Sequence, residues 1–192
     1  KKKKKTMLKN FLLIVLLATV VTAFKYNSCA SGTTDITIQS LSVLPSPIIL
    51  GQNITVSAAV KLLETFAAPG QTVGLTLEKK EGVWIEIPCV DNIGSCTYGD
   101  VCGLVKNATS KGNTCAQLTK LGIPCQCPFA AKTYSVPSTS FETQVPKNIP
   151  SWLSDGEYYV KANIKNSAGT QEACYEFYAS VSVAGDGTVS IF

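Results

Sequence analysis

Apolar and polar residues alternate with a period of two through much of this chain. From Glu157 to Lys165, Tyr158, Val160, Ala162 and Ile164 share one face while Tyr159, Lys161, Asn163 and Lys165 take the other, the pattern of a half-buried strand. The same reading places Ile54, Val56, Ala58 and Val60 on the inner face of one strand and Val73, Leu75 and Leu77 on that of the next. Val83, Ile85 and Ile87 follow after a turn at Glu81-Gly82, and near the end Tyr175, Phe177, Ala179, Val181 and Val183 alternate with Glu176, Tyr178, Ser180 and Ser182. Strands of this length, punctuated by Pro and Gly, predict an all-β fold, an antiparallel sandwich or barrel-like cup. Between Cys89 and Cys127 the alternation stops. That stretch is expected to be an insert of loops and one or two short helices stapled by disulfides. Trp84 has the parity opposite to Val83 and Ile85 and should point outward. Trp152 sits in the Pro-bounded segment Ile149-Pro150-Ser151-Trp152-Leu153, where no alternation buries it. An exposed Trp is costly unless it meets something apolar, either a neighbouring loop or a membrane interface.

One apolar stretch has no strand pattern. Lys9 precedes the run Phe11 to Val21, and Val21-Thr22-Ala23 supplies small residues at a cleavage position, so residues 7–23 read as a secretory signal peptide, too short for a membrane span. The protein is expected to begin at Met7, with residues 1–6 foreign to it, and residues 24–192 form a single domain. Removing the leader takes six of the 17 Lys and no acid, which turns the formal +4 of the chain into −2 against its 13 acidic residues. The basic character leaves with the leader, so a nucleic-acid or polybasic membrane role has no electrostatic footprint.

The composition removes further classes. There is no His, hence no Ser-His-Asp or Cys-His pair, no His proton shuttle and no His-ligated zinc. All the basic residues are Lys, so the guanidinium fork that reads guanine edges and grips phosphate is missing too. The eight Cys all follow the leader, and an even count in a secreted domain predicts four disulfides among 105 connectivities. Cys125-Gln126-Cys127 is a C-x-C without a matched second pair, a poor metal signal. Paired carboxylates can hydrolyse glycosides without His. Glu86 with Asp91, and Asp155 with Glu157, are the acids such a reading would use, but they lie close together in strand and turn contexts typical of solvated surface. Asn53-Ile54-Thr55 and Asn107-Ala108-Thr109 are N-glycosylation acceptors, which would hold both sites at the surface.

Four segments carry a resemblance: Gly82-Val83-Trp84-Ile85-Glu86-Ile87-Pro88-Cys89, Ile93-Gly94-Ser95-Cys96-Thr97-Tyr98, Gly122-Ile123-Pro124-Cys125-Gln126-Cys127-Pro128-Phe129, and Pro150-Ser151-Trp152-Leu153-Ser154-Asp155-Gly156-Glu157-Tyr158. With all eight Cys in matching order from Cys29 to Val183, they resemble the ganglioside activators of the ML lipid-recognition domain superfamily. The resemblance implies a β-cup around an apolar cavity that takes the ceramide of a glycosphingolipid or another two-chain lipid. Val56, Ala58, Val60, Leu75, Leu77, Ile85, Ile87, Tyr158, Val160, Ile164 and Phe177 would line it. It further implies the pairs Cys29 with Cys174, Cys89 with Cys96, Cys102 with Cys127 and Cys115 with Cys125, and Asn53 as the family's glycosylation site. Trp84, Trp152 and Leu153 would form an apolar mouth that touches the membrane transiently.

The implied activity is non-catalytic and cofactor-free: a lipid carrier that presents glycolipid to a lysosomal β-hexosaminidase-like glycosidase, resident in the lysosome or outside the cell. The alternative is an extracellular lipid-binding or sensing module with no enzyme partner. The stretch from Cys102 to Cys115 departs from the family in nearly every residue, and there partner or head-group selectivity would diverge. In an acidic lysosome near pH 4.5, about one-third of the carboxylates would be protonated, carrying the domain to about +2.

Overall fold

The computed structural model describes residues 24–67, 70–110, 112–142 and 155–183; the leader, Trp152 and Leu153 lie outside them. In chain order come β1 (Lys25–Ser28), β2 (Ile36–Leu44), β3 (Ile48–Leu50), β4 (Asn53–Leu62), β5 (Thr72–Glu81), β6 (Val83–Glu86) and β7 (Thr97–Tyr98). Two short helices follow, α1 (Val101–Thr109) and α2 (Thr114–Lys120), and then β8 (Thr133–Glu142), β9 (Gly156–Lys165) and β10 (Gln171–Val183).

The strands form two layers. The larger is a seven-stranded sheet ordered β1-β10-β9-β5-β6, with β3 beside β10 and β7 beside β5; the smaller is a three-stranded sheet ordered β2-β4-β8. Pairing is antiparallel except for β3, which runs parallel to β10. In the larger sheet Val73, Leu75 and Leu77 of β5 stand opposite Ile164, Ala162 and Val160 of β9, and Phe177 of β10 opposite Val160. In the smaller sheet β4 keeps strict alternation between two bulged neighbours. Ile38 and Leu41 of β2 stand beside Val60 and Ala58, and Val136 and Thr139 of β8 beside Ala58 and Val56, each neighbour carrying an extra residue between the two contacts. Both bulged strands are sheet edges, where a bulge or Pro137 costs least.

The layers meet at one end. Leu62 of β4, Phe66, Val73 of β5 and Val101 of α1 are buried together, with Ile36, Val60 and Tyr134 packed on them from the small sheet and Leu75, Ala162 and Ile164 from the large one. Along the β2–β10 seam, the Tyr175 hydroxyl accepts a hydrogen bond from the Ile38 amide at 2.7 Å, and the chain then crosses from β2 into β3 of the opposite sheet. From the insert, Tyr98, Cys102, Leu104 and Cys127 pack on this same closed end.

Asp100 caps α1, its Oδ1 accepting from the Gly103 amide at 2.8 Å. The buried Thr109 hydroxyl lies 2.8 Å from the Cys125 carbonyl, tying the helix to the C-x-C segment. The disulfides are Cys29–Cys174, Cys89–Cys96, Cys102–Cys127 and Cys115–Cys125. Cys125 and Cys127 thus hold no free thiolate for a metal. Each bridge closes within the large sheet or within the insert, and none joins the two sheets.

Candidate functional site

The inner faces of the two sheets should fill the space between them if the molecule were an ordinary sandwich. They do so at the end closed by Leu62, Phe66, Val73 and Val101, on which the half-buried Val60, Leu75 and Ile164 pack. Val56, Ala58, Leu77, Val160 and Phe177 continue the same inward parity away from that end and are half-buried. Of the remaining inward positions, Ile87 and Tyr158 are buried walls. Ile85 differs from its expected enclosure: at 50% exposure it stands on the open rim, because β6 is the sheet's edge strand and none of the described residues encloses it.

That rim is apolar. Val83, Ile85, Val90 and Ile93 are all exposed within one short stretch of chain. Val90 and Ile93 exchange backbone hydrogen bonds at 2.8 and 2.9 Å across Asp91 and Asn92, which have φ of 51° and 61°, a type I′ hairpin tip. Gly94 lets this hairpin close against the strand behind it: its φ is 107°, and a β-carbon there would collide with the Pro88 carbonyl. On the inner side of the rim, Ile85, Ile87, Pro88 and Val90 line a recess of about 470 Å³ with Lys79 and Glu81 at its edge.

An ML domain family model matches residues 23–181 of the chain. The chain belongs to the ML domain family. It is 38% identical over 160 residues to the Ganglioside GM2 activator of Mus musculus, covering 82% of this chain and 81% of that protein. It is 37% identical over 162 residues to the protein of the same name from Macaca fascicularis, covering 83% of each. A more distant relative, 22% identical over 156 residues, is the Phosphatidylglycerol/phosphatidylinositol transfer protein of Mycosarcoma maydis, with 80% of this chain and 63% of that protein covered.

In this ML domain Trp84 points to the outer side of the sheet, away from Ile85, and is 40% exposed. It is not an isolated ring. Its centroid lies 6.1 Å from Tyr159 and 6.2 Å from Tyr178, which are themselves 5.1 Å apart, and the Lys80 ammonium sits 5.8 Å above it. The Tyr159 hydroxyl donates to Glu176 at 2.9 Å, and burial together with that bond raises its pKa above the ordinary value of 10.0. Burial likewise raises the Tyr158 phenol, with the Asp155 and Glu81 carboxylates adding to the effect.

The carboxylates considered for catalysis do not form a poised pair. Glu157 is held by Lys80 at 2.6 Å, and Glu86, Asp91 and Asp155 are exposed. Asn53 opens β4 and Asn107 lies in the last turn of α1, both exposed, although the sequon residue Thr109 is buried. Two features escaped the alternation reading. Lys79 continues the inward parity of Val73, Leu75 and Leu77, and the outward-facing Trp84, Tyr159 and Tyr178, from three different strands, meet in one aromatic cluster. Both signals were present as period-two positions occupied by unexpected residue types.

Proposed function

We propose that the chain is a non-catalytic lipid carrier that lifts a glycosphingolipid or another two-chain lipid from a membrane and presents its head group to a water-soluble glycosidase. This reading takes the space between the sheets as an unfilled apolar cup; what supports it is the rim of exposed apolar side chains around a recess of about 470 Å³, in a chain 38% identical to a protein named Ganglioside GM2 activator. A two-chain lipid has roughly 30 methylenes, and at about 0.8 kcal/mol each its exposure to water costs on the order of 24 kcal/mol. Spontaneous transfer is negligible, so a carrier must replace the bilayer's apolar contact throughout. Half-buried Val56, Leu75, Leu77, Val160 and Phe177 offer that contact, while the exposed Val83, Ile85, Val90 and Ile93 let the mouth dock on a bilayer before extraction. Trp152 and Leu153 would extend that docking surface. The head group stays outside the cup, within reach of an enzyme.

The finer partner in this reading is a lysosomal β-hexosaminidase-like enzyme, and the working compartment is the lysosome or the extracellular space. A second reading, lipid transfer without an enzyme partner, is favoured by the similarity to a protein named as a phospholipid transfer protein. Extraction of a fluorescent glycolipid from liposomes by the purified protein tests the carrier function, and accelerated head-group hydrolysis by added hexosaminidase separates the two readings. Failure to extract any lipid overturns both.

A further inference from the structure

We propose that Trp84, Tyr159 and Tyr178 form a sugar-stacking platform on the outer face of the large sheet, which takes a neutral pyranose ring from the head group of the carried glycolipid. The assignment rests on the carrier reading and adds to it the place where the head group is held. Outward positions of a sheet with one solvated face are normally polar. Here three aromatic side chains occupy them, one each from β6, β9 and β10. They converge although Trp84 starts two strands away from Tyr159 and three from Tyr178. To reach them the indole lies back across β5, with the Lys80 ammonium 5.8 Å from its centre.

The rings meet at interplanar angles of 50° to 66°, so none is stacked face to face on another, and Trp84 keeps 40% of its surface in water. The Tyr159 hydroxyl, donating to Glu176 at 2.9 Å, fixes the middle of the platform before any ligand arrives. Beside the rings lies a recess of about 190 Å³ bordered by Trp84, Tyr178, Lys25, Lys80, Glu157 and Ser180. Sites for drug-sized ligands occupy about 300 Å³ or more, so this one suits a single ring rather than a whole lipid.

The surroundings select among ligand classes. Lys80 and Glu157 are in contact at 2.6 Å, so the recess offers a donor and an acceptor side by side with their charges cancelled. An anion would meet Glu157, a cation would meet Lys25 and Lys80, and a hydrocarbon chain would strip water from the ion pair without replacing it. A pyranose meets every demand. Its C–H groups make an apolar face for the electron-rich faces of the rings, while its edge carries hydroxyls that both donate and accept. The platform also lies close to the mouth: Trp84 and Ile85 are consecutive residues on opposite faces of β6, and β6 is the edge of the sheet. A head group whose chains enter past Ile85 need only round that one strand to reach the outer face.

The chain has two Trp, so Trp152→Phe leaves Trp84 as the sole indole reporter. Free lactose, which has no hydrocarbon chains, should change the Trp84 emission saturably, and sorbitol, which has hydroxyls but no ring, should not. The second arm uses phosphatidylcholine vesicles carrying a small fraction of fluorescent ceramide or of the same ceramide bearing lactose. The unaltered protein should extract the lactosyl lipid with the higher affinity. Tyr178→Ala should lower that affinity about tenfold, the worth of one stacked ring, and leave the sugarless ceramide unchanged. Tyr178→Phe keeps the ring and should keep the preference.

Trp84 emission that responds to pure phosphatidylcholine vesicles but not to lactose would make the indole a membrane contact and overturn the assignment. Equal losses for both lipids in Tyr178→Ala, or a loss in Tyr178→Phe as large as that in Tyr178→Ala, would overturn it too. Extraction of neither lipid by the unaltered protein, with lactose still moving the Trp84 emission, overturns the carrier reading but not the sugar site.

Discussion

Replacing Ala58 with Phe puts a ring into the middle of the interior, from the one strand of the small sheet that keeps strict alternation. Ala58 is half-buried on the inner face of β4, flanked in register by Leu41 and Val136. In a filled sandwich the added ring would have to displace side chains, and such overpacking costs about 1 to 3 kcal/mol, or about 3 °C of Tm per kcal/mol for a domain of this size. In an open cup the ring enters space that water already reaches, so Tm should stay within a degree or two of the parent or rise. The cost should instead fall on the guest. A phenyl ring takes the room of about four chain methylenes, and at about 0.8 kcal/mol each the displaced lipid loses about 3 kcal/mol, a fall of about a hundredfold in affinity. Val73→Phe is the control, because Val73 lies in the closed end, where the same ring must destabilise. Thermal unfolding followed by circular dichroism, alongside lipid extraction from liposomes, reads both quantities. A drop in Tm for Ala58→Phe as large as that for Val73→Phe, with lipid uptake unchanged, would refute the unfilled interior.

Further expectations follow from the framework. Replacing Cys29 and Cys174 by Ala reopens a loop of 145 residues, which loop-closure entropy values at about 5 kcal/mol, and urea unfolding should show a correspondingly lower midpoint. Tyr175→Phe leaves the Ile38 amide of the edge strand without its 2.7 Å acceptor and should cost about 1 to 3 kcal/mol in the same assay. Gly94→Ala should abolish the native hairpin tip, read as loss of Cys89–Cys96 pairing in peptide maps of refolded protein. Because burial and the Glu176 bond raise the Tyr159 pKa in the folded state, the unfolded chain loses this proton first. Its contribution is therefore fully present below about pH 10 and declines as pH rises further. Tyr159→Phe should flatten the alkaline limb of the stability profile, and an unchanged limb would show that the phenol is not so held.

The strands that alternation revealed are those whose pairing is regular. Residues of β4, β5, β9 and β10 keep one parity inward over most of their length. By contrast, β2 and β8 were hidden, and the cause is physical. In each, one extra residue shifts the phase, so that Ile38 and Leu41, or Val136 and Thr139, reach the same face three positions apart. A period-two reading sees such a strand as noise, and Pro137 adds a false stop in β8. The outward direction of Trp84 was legible, but its aromatic neighbours were not, since they come from β9 and β10 and meet it only through the sheet. Disulfide connectivity was beyond the spacing of the cysteines and came only through resemblance. Whether the interior is filled was also invisible, because a packed core and a cup need the same inward apolar residues.

The confinement of every disulfide to one layer or to the insert has a mechanical consequence. Covalent links stiffen the large sheet and the insert but do not span the gap between the sheets, which among the described residues is set by non-covalent contacts at the closed end and along the Tyr175 seam. The gap is then an equilibrium quantity rather than a manufactured dimension. A stapled wall facing an unstapled one across a soft clasp can settle around slender or bulky hydrocarbon alike, and can let it go without breaking a bond.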